Sequence, residues 1–246
     1  MIRPMKTTLS KTLAALVFSV GLSACFGAVQ AGTIQLLVTD KEGKPVPDVV
    51  VLVESATPAA ARAAAAPVVI TQEGQRFVPF LSVVPAGSTL RFVNRDTYDH
   101  HVRSTPSGPL GSIPAAKNFE LRLDGVEGAP SPNDEYKSPA GARKRSSAGS
   151  GVSSADIKVD TAGPIGLGCH IHASMRGQVY VSGTPWFAKT DANGAATLTD
   201  VPDGAAEVNL WHPDQLAEQA TQRVQVSSAP LKAAAQLNFT PRRRRS

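Results

Sequence analysis

Six residues could carry chemistry together: His100, His101, Cys169, His170, His172 and Met175. The spacing Cys169-x-x-His172-x-x-Met175 puts a thiol, an imidazole and a thioether on one short loop. A second imidazole must come from elsewhere in the chain, and His100 and His101 follow the strand-like run Phe92-Val93-Asn94. Two imidazoles, one thiolate and one weak thioether are the donor set of a mononuclear copper site that carries one electron. Zinc accepts Cys and His as well, but a Met in the fourth position favours copper. His100 and His101 compete for the remaining place. Neighbouring strand residues face opposite ways, so only one of them points at the site.

The sulfur count narrows the chemistry. The chain has two cysteines and three methionines. Residues 1–31 read as a secretory signal: Arg3, Lys6 and Lys11, an apolar stretch from Leu13 to Leu22, then Val29-Gln30-Ala31. That stretch is too short for a permanent membrane helix. Cleavage after Ala31 is preferred; the competing reading, a lipobox at Leu22-Ser23-Ala24-Cys25, would leave Cys25 lipidated and anchored. Either way the expectation is an exported, periplasmic protein without an integral span. After cleavage at Ala31, Cys169 and Met175 are the remaining thiol and thioether. A lone thiol in an oxidising compartment needs a reason, and a metal–thiolate bond is the leading one.

Charge removes a rival class. The whole chain has a net charge of +5, with 25 Lys+Arg against 20 Asp+Glu. The signal segment holds Arg3, Lys6 and Lys11, and the tail holds Arg242 to Arg245, so the body between is slightly acidic. No nucleic-acid motif lies in that body, and no nucleic-acid partner is expected.

The elements that must position these residues are strands. Low aromatic content with 20 Gly and 19 Pro suits a turn-rich β protein, and no useful helical periodicity appears. Thr33 to Thr39 and Val49 to Val53 read as strands around a turn, and residues 55–67 as an Ala-rich linker. Val78 to Val84 and Thr89 to Asn94 read as a hairpin-like pair about Pro85-Ala86-Gly87. Phe119, Leu121 and Leu123 alternate as a half-buried strand, and residues 124–155, rich in Gly, Pro and Ser, read as a disordered insertion. Ile165, Leu167 and Cys169 alternate on one face, and Val179 and Val181 resume beyond the loop. Thr190 to Gly194 carries a hairpin signal, and a second turn stands at Val201-Pro202-Asp203-Gly204.

Phe92-x-Asn94 followed by His100 and Val102, the Cys169-x-x-His172-x-x-Met175 loop, and Met175-x-Gly177-x-Val179-x-Val181 together resemble the cupredoxin family, in its plastocyanin-like and especially amicyanin-like branch. The resemblance covers roughly residues 76–183. It implies that His100, Cys169, His172 and Met175 are the ligands of one type 1 copper ion. The flanks, Val38-Thr39-Asp40-x-x-Gly43-x-Pro45 with the turns at 190–194 and 201–204, are similar to a carboxypeptidase-regulatory-like β-sandwich. The whole resembles bacterial exported proteins loosely labelled methylamine-utilisation proteins. The implied fold is all-β: a cupredoxin-type Greek-key β-sandwich at 68–183, plus a smaller prealbumin-like or Ig-like β-sandwich from 32–54 and 184–240, with a basic tail at 241–246. The family often has an aromatic before the axial Met and a Pro in the Cys–His loop; here Ala173-Ser174 and His170-Ile171 stand instead.

The expected function is one-electron transfer between periplasmic redox proteins. Copper trafficking or storage through the same four residues is one alternative, and a non-redox envelope binding module is another. No enzyme is expected: five histidines are too few for a multicopper oxidase, and no Ser/His/Asp order, P-loop or HExxH is present. His101 and His170 each sit beside a ligand on a different strand. They are expected to meet, by ring or backbone, as a brace for the loop, with Asn94 as a further support.

Overall fold

A computed structural model describes residues 31–57, 66–108, 111–126 and 153–242. Its strands are β1 (Ala31–Thr39), β2 (Val50–Ser55), β3 (Val68–Glu73), β4 (Arg76–Val78), β5 (Leu81–Pro85), β6 (Ser88–Asn94), β7 (His100–Thr105) and β8 (Glu120–Leu123). They continue as β9 (Ser154–Val159), β10 (Gly163–Cys169), β11 (Arg176–Ser182), β12 (Trp186–Lys189), β13 (Ala195–Pro202), β14 (Gly204–Trp211), β15 (Gln222–Val226) and β16 (Leu231–Gln236). The expected all-β class holds: no helix occurs among the described residues.

Four sheets form two face-to-face packings. One core lies between β13-β1-β16 and β12-β2-β14-β15. Ile34, Leu36 and Val38 point into it from β1, every second residue, as a strand buried on one face requires. The continuous run Val50 to Val53 has a different cause. Val51 and Val53 face this core, whereas Val50 and Leu52 face a smaller cluster with Leu81 and Trp211. β2 is therefore covered on both sides, because β5 and β11 of the second packing lie behind it. There the Tyr180 ring sits 5.0 Å from Trp211.

The second core lies between β5-β11-β10-β7-β8 and β4-β3-β6-β9. Leu90 and Phe92 of β6 meet Val102, Leu123, Ile165, Leu167, Val179 and Val181 from the other sheet. Phe92 is fully buried with its ring 5.5 Å from that of Phe119. Burial of such a side chain contributes about 1.5–3 kcal/mol. β10 runs between β7 and β11, so the loop after Cys169 leaves the sheet at its middle rather than at an edge.

Several expected reversals are corrected. Val78 to Val84 is not one strand: β4 and β5 belong to opposite sheets, separated by Pro79, which cannot donate to a ladder. β5 and β6 do not pair with each other; β5 runs parallel to β11, and β6 lies between β3 and β9. Thr190 to Gly194 likewise carries the chain from β12 in one sheet to β13 in the facing sheet. The local chemistry of a tight reversal is present at Gly87 (φ 87°) and Gly194 (φ 71°). Which sheet the next strand joins is set by where its apolar face finds a core, and that is not local. At Gly194 a side chain would also strike the carbonyl of Val38.

The insertion expected to be disordered over 124–155 is ordered at both ends. The Val126 amide donates to the Asp96 carbonyl at 2.8 Å, and the Gly125 amide to Asp99 Oδ1 at 3.1 Å. Ser154 and Ala155 belong to β9, paired with Val93 and Phe92. The expected linker begins one residue late, since β2 runs through Ser55. Ala31 opens β1 opposite Pro202. The signal segment through Gln30 with Cys25, residues 58–65, residues 127–152 and the end of the tail lie outside the described residues.

Candidate metal centre

β7 begins at His100, β10 ends at Cys169, and the two strands are neighbours with Cys169 opposite Val102. Pleating then decides which side chains meet. His100 is fully buried and Cys169 nearly so, both inside the second core; His101 and His170 point outward. The loop from His170 to Met175 turns β10 back into β11. The Met175 amide donates to the His172 carbonyl at 2.9 Å, and the Cys169 amide to the Met175 carbonyl at 3.4 Å. Met175 is buried in the same core cluster as Cys169.

The structure brings His100, Cys169 and His172 together. Cys169 Sγ lies 3.7 Å from His100 Nδ1 and 3.6 Å from His172 Nδ1, and the two nitrogens are 3.2 Å apart. A point equidistant from the three atoms lies about 2.0 Å from each, the length of a metal–imidazole bond. The donor set of two imidazoles and a thiolate converging at one point fits a copper ion.

The ring of His100 is fixed from behind. Its Nε2 lies 2.8 Å from Asp96 Oδ2, with both side chains buried. The acceptor-only carboxylate assigns the proton to Nε2 and leaves the Nδ1 lone pair facing Cys169. Asp96 is held in turn by the amides of Gly74, at 2.8 Å to Oδ1, and Gln75, at 3.3 Å to Oδ2. Burial alone would raise its carboxyl, but the Gly74 amide, the His100 ring and the Gln75 amide together hold it below the ordinary carboxylate value. For His172, burial lowers the imidazole below its ordinary value, the His100 charge lowers it further, and Asp96 opposes both. The neutral, ligating form is thereby favoured.

Other groups close the site. The Tyr98 ring stands edge-on to both imidazoles, 5.3 Å from His100 and 5.2 Å from His172. The His101 amide donates to Cys169 Sγ at 3.5 Å and holds the sulfur in place. Asn94 ties the approach to His100: its Nδ2 donates to the carbonyls of Tyr98 (2.8 Å) and Asp124 (3.0 Å), and its Oδ1 accepts from the Asp96 amide (2.9 Å). On the outer face His101 and His170 meet, their rings 5.2 Å apart and the His170 amide donating to the His101 carbonyl at 2.9 Å.

Asp96 and Tyr98 were not identifiable from the sequence as site residues. Asp96 stands four residues before His100 in a loop, and nothing in the spacing says which way that loop folds. His212 lies away from the site, buried beside Phe239 in the other packing, where its Nδ1 accepts from the Asp214 amide.

No protein-family model matches the sequence, and no curated protein matches it. Solved structures similar to the chain include a Cu-containing nitrite reductase (NirK) from Thermus scotoductus SA-01, at 20% identity and a TM-score of 0.34. That match covers 52% of this chain and 26% of the reductase, so the chain spans about a quarter of that protein's length. A Cu(I) form of an amicyanin mutant is similar at 18% identity and a TM-score of 0.31, over 54% of this chain and 98% of amicyanin. An oxidized amicyanin mutant is similar with the same identity, coverage and TM-score. The identities and TM-scores are low, and the chemistry of the site rests on its own residues.

Proposed function

We propose that this is a type 1 copper protein whose work is one-electron transfer. The observation that carries the reading is the triangle of His100 Nδ1, Cys169 Sγ and His172 Nδ1, with sides of 3.7, 3.6 and 3.2 Å, beside the buried Met175. His100, Cys169 and His172 would hold the ion, with Met175 as a weaker fourth donor. Copper bound there supplies the one-electron chemistry.

The protein's part is to keep that geometry the same in both oxidation states. His100 cannot rotate, because Asp96 and Tyr98 occupy its far side and edge. Cys169 sits at the end of a central strand, and its sulfur accepts the His101 amide. His172 and Met175 are joined through the loop's own backbone hydrogen bond. A site with little freedom to rearrange exchanges electrons at low reorganisation cost. Met175 and His100 are buried, while His172 is half-buried at the surface. Ile171, 56% exposed beside His172, offers a protein partner an apolar contact.

The secretory pattern of residues 1–31 supports a periplasmic location with redox proteins as partners. Protein-film voltammetry of the copper-loaded full chain tests the function. A reversible one-electron wave, lost in Cys169→Ser, is the expected result; a wild-type protein that takes up copper but gives no reversible wave would leave storage or trafficking as the better reading.

A further inference from the structure

The pleat that sends His100 and Cys169 inward sends their neighbours, His101 and His170, outward to one spot. The register makes this unavoidable: with Cys169 opposite Val102, the next residues along the two strands are His170 and His101. Their backbones are joined there by the His170 amide to the His101 carbonyl, at 2.9 Å. The neighbouring edge strand β8 adds a carboxylate. Glu120 Oε1 lies 2.8 Å from His101 Nε2, and one ligand atom from each of His101, Glu120 and His170 lies within 4.8 Å of the others.

We propose that His101, Glu120 and His170 form a second, surface site for a divalent transition-metal ion of the Zn(II) and Cu(II) class. Two imidazoles and one carboxylate are a recognised donor set for such ions, and they leave the fourth position open to water or an exogenous donor. Metal–ligand bonds of about 2.0–2.2 Å set tetrahedral donors somewhat more than 3 Å apart, so the His101–Glu120 pair, 2.8 Å apart, would part slightly to admit the ion. The His170 and Glu120 side chains are exposed and supply that adjustment. Two arginines share this face: Arg122, opposite His101 in the ladder, is directed to Asp99 at 2.9 Å and to Asp124 at 3.9 Å, and Arg103 stands opposite Glu120.

The outer site shares no ligand with the inner one. It is open to solvent where the inner site is closed, so it would fill and empty freely while the inner ion stays. Its existence does not depend on copper at Cys169.

The probe is Zn(II) alone, which is colourless and leaves thiols unoxidised. Equilibrium dialysis of the full chain against Zn(II), with bound zinc counted per chain, compares wild type with His170→Ala and with His170→Ala/Glu120→Gln. Wild type is expected to bind one ion more than either variant, whatever the inner site takes up. Both substituted side chains are exposed, so the unfolding curves of the metal-free variants should overlay that of wild type. Equal zinc stoichiometry and affinity in wild type and the double variant would overturn the proposal. A second measurement follows the His101 and His170 ring-proton resonances during addition of diamagnetic Zn(II) to wild type and to Glu120→Gln. Shifts of both rings in wild type that are lost in Glu120→Gln support the site, and equal shifts in the two proteins overturn it. Failure of the copper reading would appear separately, as absence of a thiolate–copper absorption band.

Discussion

Replacing Asp96 by Asn keeps the shape of the side chain and removes its charge. In the folded protein its two oxygens accept three N–H donors: Gly74 on Oδ1, and Gln75 and His100 on Oδ2. An amide offers one oxygen and one NH2, so one side must turn a donor toward a donor. Keeping the oxygen toward Gln75 and His100 satisfies two groups, and the cost then falls on the part-buried bond from the Gly74 amide. An unsatisfied amide together with the loss of a charge-assisted bond costs about 1–3 kcal/mol. At about 2–4 °C for each kcal/mol, the melting temperature of the metal-free protein should fall by several degrees. His100 still donates, but to a neutral oxygen, so the ring is less firmly oriented. Loss of such a partner weakens metal binding by about 10- to 100-fold. Urea unfolding of the metal-free protein gives the first number, and competition for copper against a chromophoric chelator gives the second. A variant that matches wild type in both would refute the reasoning. Lower stability with unchanged copper affinity would make Asp96 a partner of the Gly74 turn and not the residue that orients His100.

Three further outcomes follow from the same contacts. Gly177→Ala would place a methyl group 2.9–3.0 Å from the buried Phe77 ring and Cβ, so overpacking should cost about 1–3 kcal/mol in a denaturation curve. Asn94→Ala removes donations to Tyr98 and Asp124 and strands the Asp96 amide; about 1 kcal/mol per lost bond predicts a loss near 3 kcal/mol, read by urea unfolding, with faster copper release to a chelator. Because the Asp96 carboxyl is held below its ordinary value when folded, its stabilisation is present above about pH 4 and is lost as the pH falls through the lowered value. Asp96→Asn should therefore flatten the acid limb of the stability–pH curve of the metal-free protein, and an unchanged limb would contradict the assigned cause.

How much of this was legible in the sequence differs by residue. Cys169, His172 and Met175 were identifiable because their chemistry and their spacing both lie within seven residues. The alternation of Ile165, Leu167 and Cys169 also showed which face the thiol takes, since all three lie in the second core, although Gly166 and Gly168 between them are buried as well. Asp96 was not legible, since its role depends on Gly74 and Gln75 arriving from another strand pair about twenty residues away. Glu120 was hidden for a similar reason: it reads as an ordinary outward residue of an alternating strand, and only the β7–β8 register puts it beside His101. Asn94 was legible as a support but not by mechanism, because its bonds go to backbone carbonyls. The misread reversals at Gly87 and Gly194 share one physical cause. Turn residues encode a change of direction, whereas the choice between a hairpin and a crossing to the facing sheet is made by the burial of the next strand.

The proposal to be tested is that Cys169, His100 and His172 hold one copper ion. The visible spectrum of the full chain loaded with Cu(II) tests it most directly. The account predicts an intense thiolate-to-copper band with one copper per chain, abolished in Cys169→Ser while Glu120→Gln retains it. A colourless Cu(II) protein, or a chain that takes up zinc there and excludes copper, would contradict it.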